Sequence, residues 1–218
     1  MNHLVPRRST LLVMHRDPLL SAGLVAALGE HSAFETFDNG VEALVSDRPR
    51  IDVVITDYDD ALRLARCVHP ARSALSAARI LILTTNDREA DIRRAIEAGV
   101  HGYILLGGPL DELIDGATEL AKGLRYVSRS VAQRMADSLT RTSLTLRETE
   151  VLSLVAGGES NKAIARDLAI KAGTVKSHMT AIMAKLGACS RTQAASIAAA
   201  RGLVEQRAYA VRRAVPRP

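Results

Sequence analysis

The chain is 218 residues long, 47% hydrophobic and 24% charged, with a formal net charge of +5. Such a chain has the length and apolar content for one or two packed domains, which excludes a disordered or fibrous polypeptide. Its two cysteines, Cys67 and Cys189, exclude a disulfide framework and fit a reducing cytoplasm, and no stretch is long and apolar enough for a signal h-region or a membrane span.

Charge divides the chain. Residues 1–140 carry 16 Lys+Arg against 19 Asp+Glu, whereas residues 141–218 carry 13 against 5. A weakly acidic part joined to a basic part suits a signalling module tethered to a DNA-binding module, because the basic part must neutralise phosphates and release counterions. Charge alone would equally suit RNA or a membrane surface.

Residues 1–9 read as a loose arm. Leu11–Met14 is a short apolar run of the kind a buried strand shows, and Pro18–Gly29 is helical, with Leu20, Leu24 and Leu28 at spacing four. Phe34–Phe37 reads as an edge strand and Gly40–Val45 as the start of another helix. Ile51–Thr56 and Ile80–Thr84 are central strands, each followed by helical sequence. Gly102–Leu105 is a last strand before a helix over Leu110–Lys122, opened by Pro109. Five strand–helix units predict a doubly wound, five-stranded parallel sheet, whose sites gather outside the carboxyl ends of the strands. Asp57 stands at the end of the third.

Asp57 after the strand Ile51–Thr56, Thr84 at the end of the fourth strand and Gly102-Tyr103 on the fifth resemble a response-regulator receiver domain, over about residues 9–124. The resemblance implies that Asp57 is the phosphoacceptor-like position, Thr84 the hydroxyl that binds the phosphoryl group and Tyr103 the switch aromatic. It also implies an acidic pair after the first strand, holding the divalent metal that neutralises the incoming phosphoryl group. Those positions read His15 and Arg16. The position of the family's cationic partner on the fifth strand reads Leu106, which can neither donate nor neutralise charge.

Three readings of Asp57 follow. It is a relic or structural residue, with Arg16 as one candidate partner whose fixed charge would replace the metal in a locked site; or it is a poor phosphoacceptor rescued by Asp17, Asp59 or Asp60, with Asp17 demanding a shifted loop; or it lines a small-ligand pocket. The first is preferred. Asp59-Asp60 otherwise reads as a solvated loop pair, and His15, His69 and His101 are too scattered for a metal site. No cofactor is expected, with Mg²⁺ required only if Asp57 is phosphorylated.

Residues 125–143 read as a connection holding a short helix, Val131–Leu139, and the polar linker Thr140–Ser143. Thr145-Leu146-Arg147-Glu148 fits a capping box that opens a helix with Val151, Leu152 and Val155 inward, closed by Gly157-Gly158. A short helix follows over Asn161–Leu168, with Ile164 and Leu168 inward. After a brief turn a longer one begins, with Val175, Met179, Ile182 and Leu186 on one face and Gly173, Lys176, Ser177 and Thr180 on the other. Two short helices and a tight turn make a helix-turn-helix, and a small, polar, cationic outer face is what a major groove admits.

The runs Leu144–Leu152, Ser160–Ala165, Gly173–His178, Lys185–Gly187 and Ser190–Ala194 resemble the LuxR-type DNA-binding domain. With the first part of the chain, the order resembles the NarL/FixJ-type response regulators. The resemblance implies a four-helix domain, residues 144–204, whose third helix enters the major groove and whose fourth, about Arg191–Arg201, pairs two subunits. It places Thr174, Lys176, Ser177 and Thr180 at the groove and Lys185 and Arg191 near the phosphate backbone. Many members carry a second basic residue where this chain has Thr180. Residues 205–218 form an Arg-rich tail expected to be disordered.

The expected fold is therefore an α/β receiver-like domain, residues 1–124, followed by an all-α helix-turn-helix domain. The expected protein is a cytoplasmic, dimeric transcription regulator that binds double-stranded promoter DNA, with RNA polymerase as a candidate contact, no membrane association and control independent of conventional phosphorylation. Two rivals stand beside it: a conventional two-component regulator phosphorylated at Asp57, and an antagonist that forms mixed dimers with another regulator. No nucleophile–base pair marks an enzyme.

Overall fold

The computed structural model describes residues 7–38, 50–67, 75 and 77–204, which divide into two units with the main boundary at Met135. In the first, strands β1 (Ser9–Met14), β2 (Phe34–Asp38), β3 (Val53–Thr56), β4 (Arg79–Thr84), β5 (Gly102–Leu105) and β6 (Tyr126–Val127) form one sheet in the order β2-β1-β3-β4-β5-β6. All pairs are parallel. Parallel strands covered on both faces read as unbroken apolar runs, which is why Leu11-Leu12-Val13 and Ile80-Leu81-Ile82-Leu83 are buried throughout.

Alternate residues along each strand supply the two faces. On one, Leu11, Val13, Val53, Ile55, Leu81, Leu83 and Ile104 pack against Leu24 and Leu28 of helix α1 (Pro18–Gly29) and Leu113, Ala117 and Leu120 of α4 (Leu110–Ala121). On the other, Ile80, Ile82 and Tyr103 meet Ala61 of α2 (Tyr58–Arg66), Ile92 and Ala95 of α3 (Glu89–Glu97) and Val131 of α5 (Arg129–Leu139). The chain leaves β1 toward β2 on one side and returns to β3 on the other. The carboxyl ends of β1 and β3 thus flank a topological switch point, where a crevice opens.

The parallel sheet and the strand positions match the expectation, with two corrections. A sixth strand, β6, pairs Gly102 with Tyr126 and Tyr103 with Val127; two residues give no periodicity to read. The connection assigned to residues 125–143 is also largely part of the first unit, because Val131 is fully buried against the sheet. The boundary drawn at 124 therefore falls short of the packing. The helix expected over Gly40–Val45, His69 and the tail 205–218 lie outside the described residues.

The second unit contains α6 (Leu146–Ala156), α7 (Asn161–Asp167), α8 (Ala172–Leu186) and α9 (Arg191–Ala200). The capping box forms as read: Glu148 N–H donates to Thr145 Oγ1 at 3.2 Å, and Thr145 N–H donates to Glu148 Oε2 at 2.7 Å. Ser160 and Ser190 cap α7 and α9, and Gly187 ends α8 in the left-handed conformation at φ 66°. The core contains Val151, Leu152, Val155, Ile164, Val175, Met179, Ile182 and Leu186, together with Ala194 and Ala198. These two alanines of α9 thus serve the domain's own packing.

Among the described residues, no helix is long and apolar enough to cross a membrane.

Candidate functional site

At the switch point of the sheet, a cavity of about 390 Å³ is lined by His15, Arg16 and Asp17 after β1, Asp57, Tyr58 and Asp59 after β3, Thr84, Thr85 and Asn86 after β4, and Leu106 after β5. Of the seven receiver positions that the sequence singles out, Asp57 included, six meet here. The seventh does not: Tyr103 is buried, its hydroxyl donating to the Asn86 carbonyl at 2.6 Å. Burial pushes that phenol well above its usual range, with the charges of Tyr58 and Asp91 adding to the effect. Thr84 Oγ1 accepts from Asn86 N–H at 3.1 Å. The β4–α3 turn is thus held from both sides.

Asp57 is the N-cap of α2. Its Oδ1 accepts from Asp60 N–H at 3.0 Å, and its Oδ2, shielded from solvent, makes no hydrogen bond. Arg16 Nε lies 3.2 Å from that oxygen. Arg16 also reaches Asp59 through Nη1 at 3.1 Å and Asp60 through Nε at 3.4 Å. The hydrogen bond to Asp60, and then the field of Asp57, hold the guanidinium further in its charged form than an isolated arginine. Asp59 and Asp60, read as a solvated pair, lie in the first turn of α2 and share this cation.

Asp17 is committed elsewhere, its Oδ1 accepting from the N–H groups of Leu19 and Leu20 as the N-cap of α1. His15 Nδ1 accepts from Asp17 N–H at 3.2 Å. The two positions at which the resemblance expects metal-holding acids therefore offer an imidazole and a guanidinium. Arg16 places positive charge against the carboxylate that a divalent ion would need, and Asp17 cannot turn inward without uncapping α1. These residues do not fit a metal.

On the second unit, Val175, Met179, Ile182 and Leu186 are buried, while Thr174, Lys176, Ser177 and Thr180 are exposed on α8. Ser177 Oγ and Thr180 Oγ1 donate to the carbonyls of Gly173 and Lys176, at 3.2 and 3.1 Å, so both hydroxyl protons are spent on the helix itself and the oxygens are left outward as acceptors. The turn between α7 and α8 carries Ala169 at φ 53°, the one non-glycine residue with positive φ among the described residues. Arg147 Nη2 donates to the Leu168 carbonyl just before it, at 2.7 Å. Left-handed backbone disfavours a side chain. Ala169→Gly is therefore expected to raise the stability of the second unit by about 1 kcal/mol, measured by denaturant unfolding, with the fold unchanged.

Two cations expected near phosphates have partners within the domain. Lys185 Nζ lies 2.7 Å from Glu148 Oε2, and the Glu148 side chain is only 7% exposed. Arg191 donates through Nη1 to Asn161 Oδ1 at 2.7 Å and through Nη2 to the Glu159 carbonyl. Sequence spacing shows a lysine near the end of α8, but not that a carboxylate 37 residues earlier has reached it.

A family model described as bacterial regulatory proteins, luxR family, matches residues 142–198. The transcriptional regulatory protein YvfU of Bacillus subtilis (strain 168) is 37% identical over 145 residues, 62% of this chain and 72% of YvfU. The nitrate/nitrite response regulator homolog of Haemophilus influenzae is 33% identical over 193 residues, 84% of this chain and 93% of its own. The solved structure of the RcsB response regulator of Salmonella typhimurium has the same fold, with a TM-score of 0.67 at 20% identity, over 88% of this chain and 100% of that one.

Proposed function

This chain belongs to the NarL/LuxR family of DNA-binding transcriptional response regulators, and from that membership we propose that it acts on promoter DNA as a dimer under a control other than conventional phosphorylation of Asp57. The observation that carries the second half is Arg16. Its Nε lies 3.2 Å from Asp57 Oδ2, while Oδ1 is spent on capping α2. An aspartate whose one remaining oxygen faces a guanidinium is a weakened nucleophile, and neither His15 nor Leu106 supplies the charges that an incoming phosphoryl group requires. The receiver-like unit is then held in one state by its own arginine.

In this reading α8 reads the groove through Lys176, Ser177 and Thr180, phosphate contacts supply most of the affinity, and α9 pairs the subunits. Support for dimeric DNA binding comes from the relatives, since solved RcsB structures include two dimers bound to two DNAs. A cytoplasmic location and a contact with RNA polymerase complete the proposal.

The test is intact-mass analysis after incubation with Mg²⁺ and a small phosphoryl donor, with Asp57→Asn as the control. No mass gain is expected in the wild type while a conventional receiver treated alongside is modified. One added phosphoryl group, lost in Asp57→Asn, would return the protein to the ordinary phosphorylated switch. One observation favours that second reading: Asp57 Oδ2 has no hydrogen-bond partner, and Thr84 lines the same cavity.

A further inference from the structure

Counterion release rewards a cation that is hydrated and unpaired in the free protein, because DNA phosphates then replace only mobile ions. A lysine already paired with a buried carboxylate gains little from a phosphate: taking it away leaves the carboxylate desolvated and alone. This distinction separates the lysines around the recognition helix. Lys185 is held 2.7 Å from Glu148, which is buried. Lys171, by contrast, is exposed and has no side-chain partner among the described residues.

Lys171 is the N-cap residue of α8, in extended backbone, and its side chain makes no capping bond. Serine, threonine, aspartate or asparagine would ordinarily stand there to accept from the first turn. A lysine cannot accept, so the position forgoes a cap and presents a free ammonium three residues before Thr174 and five before Lys176. It therefore sits at the same end of α8 as the groove-facing side chains. Lys185 lies at the opposite end of that helix.

We propose that Lys171 contacts the DNA phosphate backbone beside the groove-reading end of α8, and that Lys185 belongs to the fold and touches no phosphate. The inference rests on the assignment of α8 as the DNA-binding helix and adds which cations make the electrostatic contacts. Lysine suits that role as a flexible point charge without a fixed approach geometry.

The test measures how affinity depends on salt. The full chain is titrated onto a short labelled duplex of mixed sequence at several salt concentrations, and the slope of log K against log[salt] is compared. Each lost phosphate contact should reduce the magnitude of that slope by about 0.9 per bound subunit. Lys171→Ala should show this reduction and Lys171→Arg should not. Lys122→Ala, on the other unit, controls for the net-charge change and should leave the slope intact. Glu148→Gln with Lys185→Met removes the buried pair without changing net charge and should keep the wild-type slope.

A Lys171→Ala slope equal to that of the wild type would overturn the proposal, as would a slope reduced by the Glu148→Gln, Lys185→Met pair in a chain that still melts cooperatively. A wild type with no salt-dependent binding to the duplex would instead sink the underlying DNA-binding assignment.

Discussion

Lys185→Ala is expected to lower the unfolding free energy of the second unit by about 3 kcal/mol, because it removes one partner of a desolvated pair and strands the other. Glu148 depends on that partner. Its Oε2 accepts both Lys185 Nζ and Thr145 N–H at 2.7 Å, so a single oxygen closes the capping box and anchors the end of α8 to the start of α6. Calorimetry of the full chain should show a depressed transition for this unit, with the first unit as an internal reference. Glu148→Gln with Lys185→Met should cost much less, within about 1 kcal/mol of the wild type, since no charge is left buried. A single variant no less stable than the double one would show that the pair contributes little.

The pH dependence of that difference has a definite sign. Burial opposes the Glu148 charge, but the hydrogen bonds from Lys185 and Thr145 outweigh it and hold the carboxyl below its usual 4.5. A depressed carboxyl contributes stability above its unfolded-state pKa, and that stability is lost as pH falls through the folded value. In Lys185→Ala burial is no longer offset by the ammonium, and the carboxyl should rise. Protonation then relieves the variant while it costs the wild type, so the gap should be widest near neutral pH and narrow on acidification. A gap that widened toward acid would contradict this account.

The parts of the structure that the sequence revealed are those that depend on local chemistry. Apolar runs such as Ile80–Leu83 give buried parallel strands, and Thr145 and Glu148 at the right spacing give a capping box, because each requires only near neighbours. The partners of long polar side chains were not visible. Lys185 and Arg191 stand where phosphate contacts are expected, yet each finds its partner 30 or more residues away in sequence. Likewise β6 becomes a strand only because β5 offers a free edge, and Val131 becomes core only because Tyr103, Ile80 and Ile82 line a face it can cover. Arg16 beside Asp57 was legible for a different reason: parallel register sets Met14 opposite Thr56, so the residues after β1 and β3 must meet.

That register also makes the second large effect predictable. The combined variant His15→Asp, Arg16→Asp, Leu106→Lys is expected to accept a phosphoryl group on Asp57, in the presence of Mg²⁺ and a small phosphoryl donor, where the wild type does not. Removing Arg16 frees Asp57 Oδ2 from the guanidinium 3.2 Å away, and acids at 15 and 16 would stand at the same strand end as Asp57, with the oxygen ligands that a hard divalent ion takes. A lysine at 106 would project beside Thr84, since Leu106 N–H donates to the Thr84 carbonyl at 2.8 Å and both residues line the cavity. It would place a positive charge where negative charge develops during transfer. Intact-mass analysis should show one added phosphoryl group, abolished by a further Asp57→Asn. Arg16→Asp alone should give little or none, because the cation at 106 would still be missing. If the combined variant melts as the wild type does and remains unmodified, then Arg16 and Leu106 are not what silences the site, and the capping of α2 by Asp57 Oδ1 becomes the constraint to remove.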